Sequence, residues 1–259
     1  GSRARGRARP HCPATPDLKL RALDFVERLR RSTPLCSHGG MRRTLEPEVM
    51  DTLEEALEYD AMDHRAPNEA FVERLVALGA RGRMLDIGTG PGHVPLLVCE
   101  RIRDAQVVAV DLAETMLERA RAKVAAASPE VRGRIELRRA DAKALPFPAG
   151  SFDVVFSNTI LHHIPEPIDL LREARRVLRP GGCLLVRDLF RPPTPERVGE
   201  LVRLHAAGAN ESQRELFRAS LHAALTTPEL EQLAREAGLE EVEVVVDSDR
   251  HHSLQRRAD

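Results

Sequence analysis

Short apolar runs recur along the middle of the chain, and a longer stretch with helical periodicity follows most of them. Arg83–Ile87, Gln106–Val110, Arg134–Arg138, Phe152–Ser157 and Cys183–Arg187 read as strands. His93–Asp104, Glu114–Ala127 and Glu166–Leu178 read as helices between them, the last stopped by Pro180-Gly181-Gly182. Near-continuous apolar strands alternating with helices predict a parallel sheet covered on both faces. Upstream, Glu48–Asp63 puts Val49, Leu53, Leu57 and Met62 on one helical face, and Pro67–Leu78 is a second helix closed by Gly79. After Phe190 the rhythm changes. Thr194–Ala207 and Glu211–Leu225 read as helices, and a third starts with Thr227 as N-cap and Pro228 at its first turn. Glu241–Val246 and a short His251–Gln255 close the sequence as strands.

This pattern predicts an α/β protein with a doubly wound, Rossmann-like, mostly parallel sheet of about seven strands. It divides the chain into four stretches. Residues 1–40 are a tag remnant and an Arg-rich arm, residues 41–79 a helical cap, residues 80–190 the core, and residues 191–259 a helical lid insert with the closing strands. Within the arm, residues 3–16 alternate Arg with Ala or Gly and read as disordered, while Asp17–Ser32 has the pattern of a short helix.

Composition narrows the function. A net charge of −1 gives no global bias toward nucleic acid or an anionic membrane. Aromatic residues make up 3% of the chain, which leaves few platforms for stacked bases. No apolar run reaches the length of a membrane span. Cys12, Cys36, Cys99 and Cys183 are widely spaced, and the last two sit in apolar contexts as small buried hydrophobes. A reducing, cytoplasmic setting is expected, with no membrane and no nucleic-acid partner. Oligomeric state is not legible.

The chemistry gathers around Arg83–Gly92. A buried strand runs into Gly88-Thr89-Gly90-Pro91-Gly92, and a helix follows, whose first N–H groups and dipole favour a ligand at the turn. Ligands of such sheets lie beyond the carboxyl ends of the strands. Asp86 sits just before the turn. Asp111 ends the second strand, where a carboxylate accepts both hydroxyls of a ribose. Asp141-Ala142 follows the third, where it accepts from an adenine amine, and Asn158 ends the fourth.

The ordered set resembles the class I S-adenosylmethionine-dependent methyltransferases. It comprises Leu85–Gly92, Val110-Asp111-Leu112 with Met116-Leu117, Ala140-Asp141-Ala142 with Leu145-Pro146-Phe147, Phe152–Val155 with Ser157-Asn158, and Val177–Gly182. It looks closest to the small-molecule branch that includes the ubiquinone and menaquinone C-methyltransferases, and Tyr59-Asp60-Ala61-Met62 is similar to that branch's motif before the first strand. The resemblance implies S-adenosyl-L-methionine as cofactor. By it, Gly88, Thr89, Gly90 and Gly92 approach the methionine part, Asp86 orders the turn beneath, and Asp111 takes the ribose. Leu112 and Met116 flank the adenine, Asp141 and Ala142 bind its edge, Asn158 lines the methionine end, and Tyr59 helps close the site. A dinucleotide fits less well, because Gly-Thr-Gly-Pro-Gly departs from Gly-x-Gly-x-x-Gly.

An oxygen, thiol or carbon acceptor must usually lose a proton, which calls for a base. His162, His163, Arg187 and Asp188 follow the fourth and fifth strands and are the catalytic candidates. Arg191, Asn210, Arg214, Phe217 and His251 are the candidate acceptor-binding residues. Neither His162-His163 nor His251-His252 has an acid or cysteine at a metal-ligand spacing, so no metal is expected. The expected function is methyl transfer to a small molecule, with a small thiol or sulfide favoured, because a thiol near pKa ~8.5 needs only a mild base. O- or C-methylation of a phenol or quinol, RNA methylation through the Arg-rich arm, and a non-catalytic cofactor-binding subunit are the alternatives. The motif after the fourth strand lacks the Asn/Asp-Pro-Pro-Tyr of enzymes that methylate bases.

Overall fold

The computed structural model describes residues 40–46, 51–62 and 64–259. The expectations for the Arg-rich arm, the Asp17–Ser32 helix, Cys12 and Cys36 lie outside the described residues, as does the start of the Glu48–Asp63 helix.

Helices α1 (Leu53–Asp60) and α2 (Arg65–Ala77) precede the sheet. The alternating region then runs β1 (Arg83–Ile87), α3 (His93–Arg101), β2 (Gln106–Asp111), α4 (Glu114–Ala126), α5 (Pro129–Arg132), β3 (Ile135–Arg139), β4 (Phe152–Asn158), a 3-10 turn (Leu161–His163), α6 (Pro167–Val177) and β5 (Leu178–Leu189). Helices α7 (Pro195–His205), α8 (Glu211–Ala223) and α9 (Thr227–Glu236) follow, then β6 (Glu243–Val246) and β7 (His251–Arg256).

The seven strands are ordered β3-β2-β1-β4-β5-β7-β6. The first five are parallel, and β7 runs antiparallel between β5 and β6. Strand order reverses beside β1, between β2 and β4, which is where a doubly wound sheet opens a crevice at its carboxyl edge. Successive strand side chains point to opposite faces, and the core divides accordingly. Leu85, Ile87, Val108, Val110, Val155, Leu184 and Val186 pack under α6 and α9 with Leu170, Leu171 and Leu230. Met84, Val107, Ala109, Val154, Phe156, Cys183 and Leu185 pack on the other face with Phe71, Val72 and Leu75 of α2 and Val98 of α3. Burial pushes the Cys99 and Cys183 thiols up to about 11 and about 12, which keeps them protonated and inert.

One local expectation shifts. Helix α9 is capped by Thr226, not Thr227. The Thr226 hydroxyl accepts the Glu229 N–H and the Glu229 carboxylate accepts the Thr226 N–H, a reciprocal box only this register closes. The closing strand expected at His251–Gln255 is β7, and its His251, His252 and Ser253 are buried between β5 and β6.

Candidate active site

A cleft lies at the carboxyl ends of β1, β2, β3 and β4. Its floor is the turn after β1. Gly88 and Thr89 donate their N–H groups to Val110 O, which pins the turn to β2. The three glycines have separate duties. A side chain at Gly88 would strike Ile160, and one at Gly92, at the start of α3, would meet Ala120 of α4 at 2.9 Å. Gly90, at φ 54°, faces open space. Two glycines therefore serve close packing, and Gly90 leaves the floor bare for a ligand.

Asp86, Thr89, Gly90, Asp111, Leu112, Met116, Asp141, Ala142 and Asn158 all line this cleft, and Tyr59 of α1 reaches it from the cap. Asp86 is 1% exposed, and its Oδ2 has no hydrogen-bond partner. Burial pushes its carboxyl up to about 7, and the Asp111 charge adds to that. Among the described residues the Thr89 hydroxyl, which faces Asp86, and Asn158 Oδ1 are likewise buried without a well-formed hydrogen bond. Asp111 accepts the Gly90 N–H at 2.7 Å and the Ala113 N–H at 2.9 Å, so it holds the turn from the β2 side. Asp141, at the rim, accepts the Lys143 N–H at 2.9 Å and pairs with its ammonium at 3.0 Å. Asn158 donates to Asn68 Oδ1 at 3.2 Å. Thr159, next along, is held at φ 60°, a strained conformation for a β-branched residue beside the cleft.

Asp60 does different work from its neighbour Tyr59. It pairs with Arg119 and Lys123 of α4 and with His93 of α3. These contacts fasten the end of α1 over the cofactor side of the sheet.

At the other end of the cleft stands a buried relay of acids and imidazoles. His163 lines the cleft, and its Nδ1 lies 3.1 Å from Glu46 Oε1. The same Glu46 oxygen lies 3.4 Å from His162 Nε2. His162 Nδ1 is 2.5 Å from Asp188 Oδ1, and the His162 N–H donates to Asp188 Oδ2 at 2.9 Å. Burial disfavours charge on both His162 and Asp188, but their mutual attraction outweighs it, holding His162 above and Asp188 below their usual ranges. Burial raises the Glu46 carboxyl. The Arg43 guanidinium braces the turn that carries both histidines by donating to the carbonyls of Ile164 at 2.9 Å and Ala223 at 2.6 Å.

The remaining candidates are placed elsewhere. Arg187 donates to Pro67 O at 2.9 Å and contacts His251 Nδ1 at 3.2 Å, so both residues are buried behind the cleft, where neighbouring cations hold His251 well below its usual range after burial itself. Arg191 donates to Met41 O and Ala224 O and pairs with Glu229 at 2.6 Å, which ties the strap at 40–46 to α8 and α9. Asn210 is the exposed N-cap of α8, closed by Gln213. Arg214 donates to Ala206 O and Ala207 O at 3.2 Å, and Phe217 packs against the cluster of Leu189, Val198 and Leu201. Arg191, Asn210, Arg214 and Phe217 thus make contacts within the strap and the insert.

The sequence reading missed Glu46, His64, Asn68, Lys143 and Thr159. Asn68 carried a signal: it sits on the Asn68, Phe71, Val72, Leu75 stripe of α2, a polar residue on a buried face. Glu46 carried none, because it lies in an irregular segment far from its partners. Histidine spacing alone therefore gave no sign that Glu46 joins the pair in space.

Comparison with known proteins agrees with this geometry. Residues 85–186 match a family model described as a methyltransferase domain. A ubiquinone/menaquinone biosynthesis C-methyltransferase of Dinoroseobacter shibae is 31% identical over 179 residues, 64% of this chain and 70% of that protein. The 27-O-demethylrifamycin SV methyltransferase of Amycolatopsis mediterranei is 36% identical over 156 residues, 57% of this chain and 56% of that one. The chain thus spans little more than half the length of some of the curated relatives it matches. A methyltransferase structure from Aquifex aeolicus shares the fold at TM-score 0.61 and 18% identity, covering 80% of this chain and 99% of that one. The glycine turn, the strand-end acids and these relatives agree, and the chain belongs to the class I S-adenosylmethionine-dependent methyltransferases.

Proposed function

We propose that the protein transfers the methyl group of S-adenosyl-L-methionine to a small acceptor bearing an ionisable S–H or O–H. The cofactor half of this reading rests on fit. The cofactor carries cationic groups and many hydrogen-bonding groups. Asp86 Oδ2, Thr89 Oγ1 and Asn158 Oδ1 are buried polar atoms still awaiting partners in one cleft, and Gly90 leaves the space that a close ligand needs. Asp86 would face the methionine end, Asp111 the ribose, and Asp141 with Ala142 the adenine edge. When bound, the cofactor supplies an electrophilic methyl group.

The acceptor half rests on one observation: His163 stands in the cleft with Glu46 behind it. Glu46 Oε1 stands 3.1 Å from Nδ1, and the His163 ring is the group placed to take the acceptor's proton. His162 and Asp188 form a buried ion pair behind Glu46, so they orient the relay and do not touch the acceptor. Tyr59, Ile160 and Ile164 give the cleft an apolar wall that strips water from the nucleophile and aligns it. A thiol needs the weakest base, which keeps sulfur the favoured acceptor. The relatives named for O- and C-methylation put hydroxyl acceptors second.

A turnover assay over small thiols, phenols and quinols tests the reading. His163→Gln is expected to lower kcat about 100-fold or more, the usual share of a general base, with S-adenosylhomocysteine binding little changed. Unchanged turnover in that variant would remove His163 from the chemistry.

A further inference from the structure

Glu46, His162 and His163 come from two distant segments and converge on a single carboxylate oxygen. Glu46 Oε1 is 3.4 Å from His162 Nε2 and 3.1 Å from His163 Nδ1. One donor atom from each residue lies within 4.8 Å of the others. Ligands that sit about 2.0–2.1 Å from a shared tetrahedral ion are about 3.3 Å apart, so these spacings match two edges of a coordination polyhedron.

The surroundings are those of a ligand set as well. Asp188 holds His162 through Nδ1 at 2.5 Å, which fixes the ring and turns Nε2 toward Glu46. A carboxylate behind a metal-bound imidazole is the usual outer support for such a ligand. The Ser220 hydroxyl donates to Glu46 Oε1 at 3.3 Å, and Arg43 braces the backbone of the histidine turn. Glu46 and His162 have side chains only 9% and 4% exposed.

We propose that Glu46, His162 and His163 bind one divalent ion of the zinc class. Two imidazoles and a carboxylate suit such borderline ions and leave coordination positions for other ligands. His163 alone of the three lines the cofactor cleft, so the ion stands behind it, one imidazole from the cleft. Resting on the methyl-transfer reading, its role is to hold the histidine turn, and the His163 ring with it, at the acceptor end of the cleft.

The test uses the full chain, stripped with a chelator and titrated with Zn²⁺ by calorimetry and with Co²⁺ by visible absorption. S-adenosylhomocysteine is titrated in parallel. The expected result is one ion per chain with visible Co²⁺ bands of low coordination number. Glu46→Gln and His163→Gln each abolish those bands, and Asp188→Asn weakens Zn²⁺ binding about 10- to 100-fold, while each variant still binds S-adenosylhomocysteine and so is folded. Protein that binds S-adenosylhomocysteine but shows no saturable ion binding overturns the proposal. So does ion binding that survives both Glu46→Gln and His163→Gln. One ion bound by the parent chain and lost in both variants, with melting transitions matching the parent's but no S-adenosylhomocysteine binding in any of them, upholds the metal site and overturns the methyl-transfer reading instead.

Discussion

Asp86→Asn separates the needs of the cofactor site from the needs of the fold. In the folded chain the Asp86 carboxyl is raised from 3.8 to about 7. Each unit corresponds to about 1.4 kcal/mol, so ionising the buried group costs on the order of 4 kcal/mol of stability above pH 7. The sign is fixed by proton counting. Between pH 4 and 7 the folded chain holds a proton that the unfolded chain has released, so Asp86 makes stability fall as pH rises through that window. The cost is absent below the window and complete above it. Asparagine keeps the shape and removes the charge. At pH 8 the variant should therefore melt higher, by about 2–4 °C for each kcal/mol recovered in a chain of this size, and the gain should vanish near pH 4. Cofactor binding should move the opposite way. A charge-assisted hydrogen bond contributes about 1.5–3 kcal/mol, so loss of the anion should weaken S-adenosylhomocysteine about 10- to 100-fold at pH 8. Thermal melts across pH 4–8 with parallel calorimetry measure both effects. A variant that melts no higher at pH 8, or binds as tightly as the parent, refutes the reasoning.

Other substitutions have different signatures. Asp111→Ala strands the Gly90 and Ala113 N–H groups it now pairs. It should lower stability by about 1–3 kcal/mol and weaken cofactor binding together, seen as a lower melting temperature and a larger Kd in one preparation. Asn210→Ala removes the cap of α8. It should cost about 1 kcal/mol in chemical denaturation and leave the KM for any acceptor unchanged, the opposite of what a substrate ligand would do.

Much of the site was legible because parallel sheets tie chemistry to strand ends. Asp86 lies inside the apolar run of β1, Asp111 and Asn158 close the runs of β2 and β4, and Asp141 follows the half-exposed β3. What was not legible depends on contacts across the chain. Glu46 meets His162 only because the strap at 40–46 folds over the histidine turn, with Thr44 donating to His222 O and Arg43 to Ile164 O. Arg187 and Asp188 are adjacent in β5 and so point to opposite faces. Asp188 reaches His162, while Arg187 turns to Pro67 and His251. In the insert, Asn210 and Arg214 had the composition of a binding surface and the geometry of helix caps, two roles that draw on the same residue types.

The central claim is that one cleft holds the cofactor across β1–β4 and meets its acceptor at His163. A crystal structure with S-adenosylhomocysteine bound tests it most directly. The account predicts ribose hydroxyls on Asp111, the adenine edge at Asp141 and Ala142, the amino group toward Asp86, and the sulfur facing His163. The ligand lying outside this cleft, or with its sulfur turned away from His163, would contradict it.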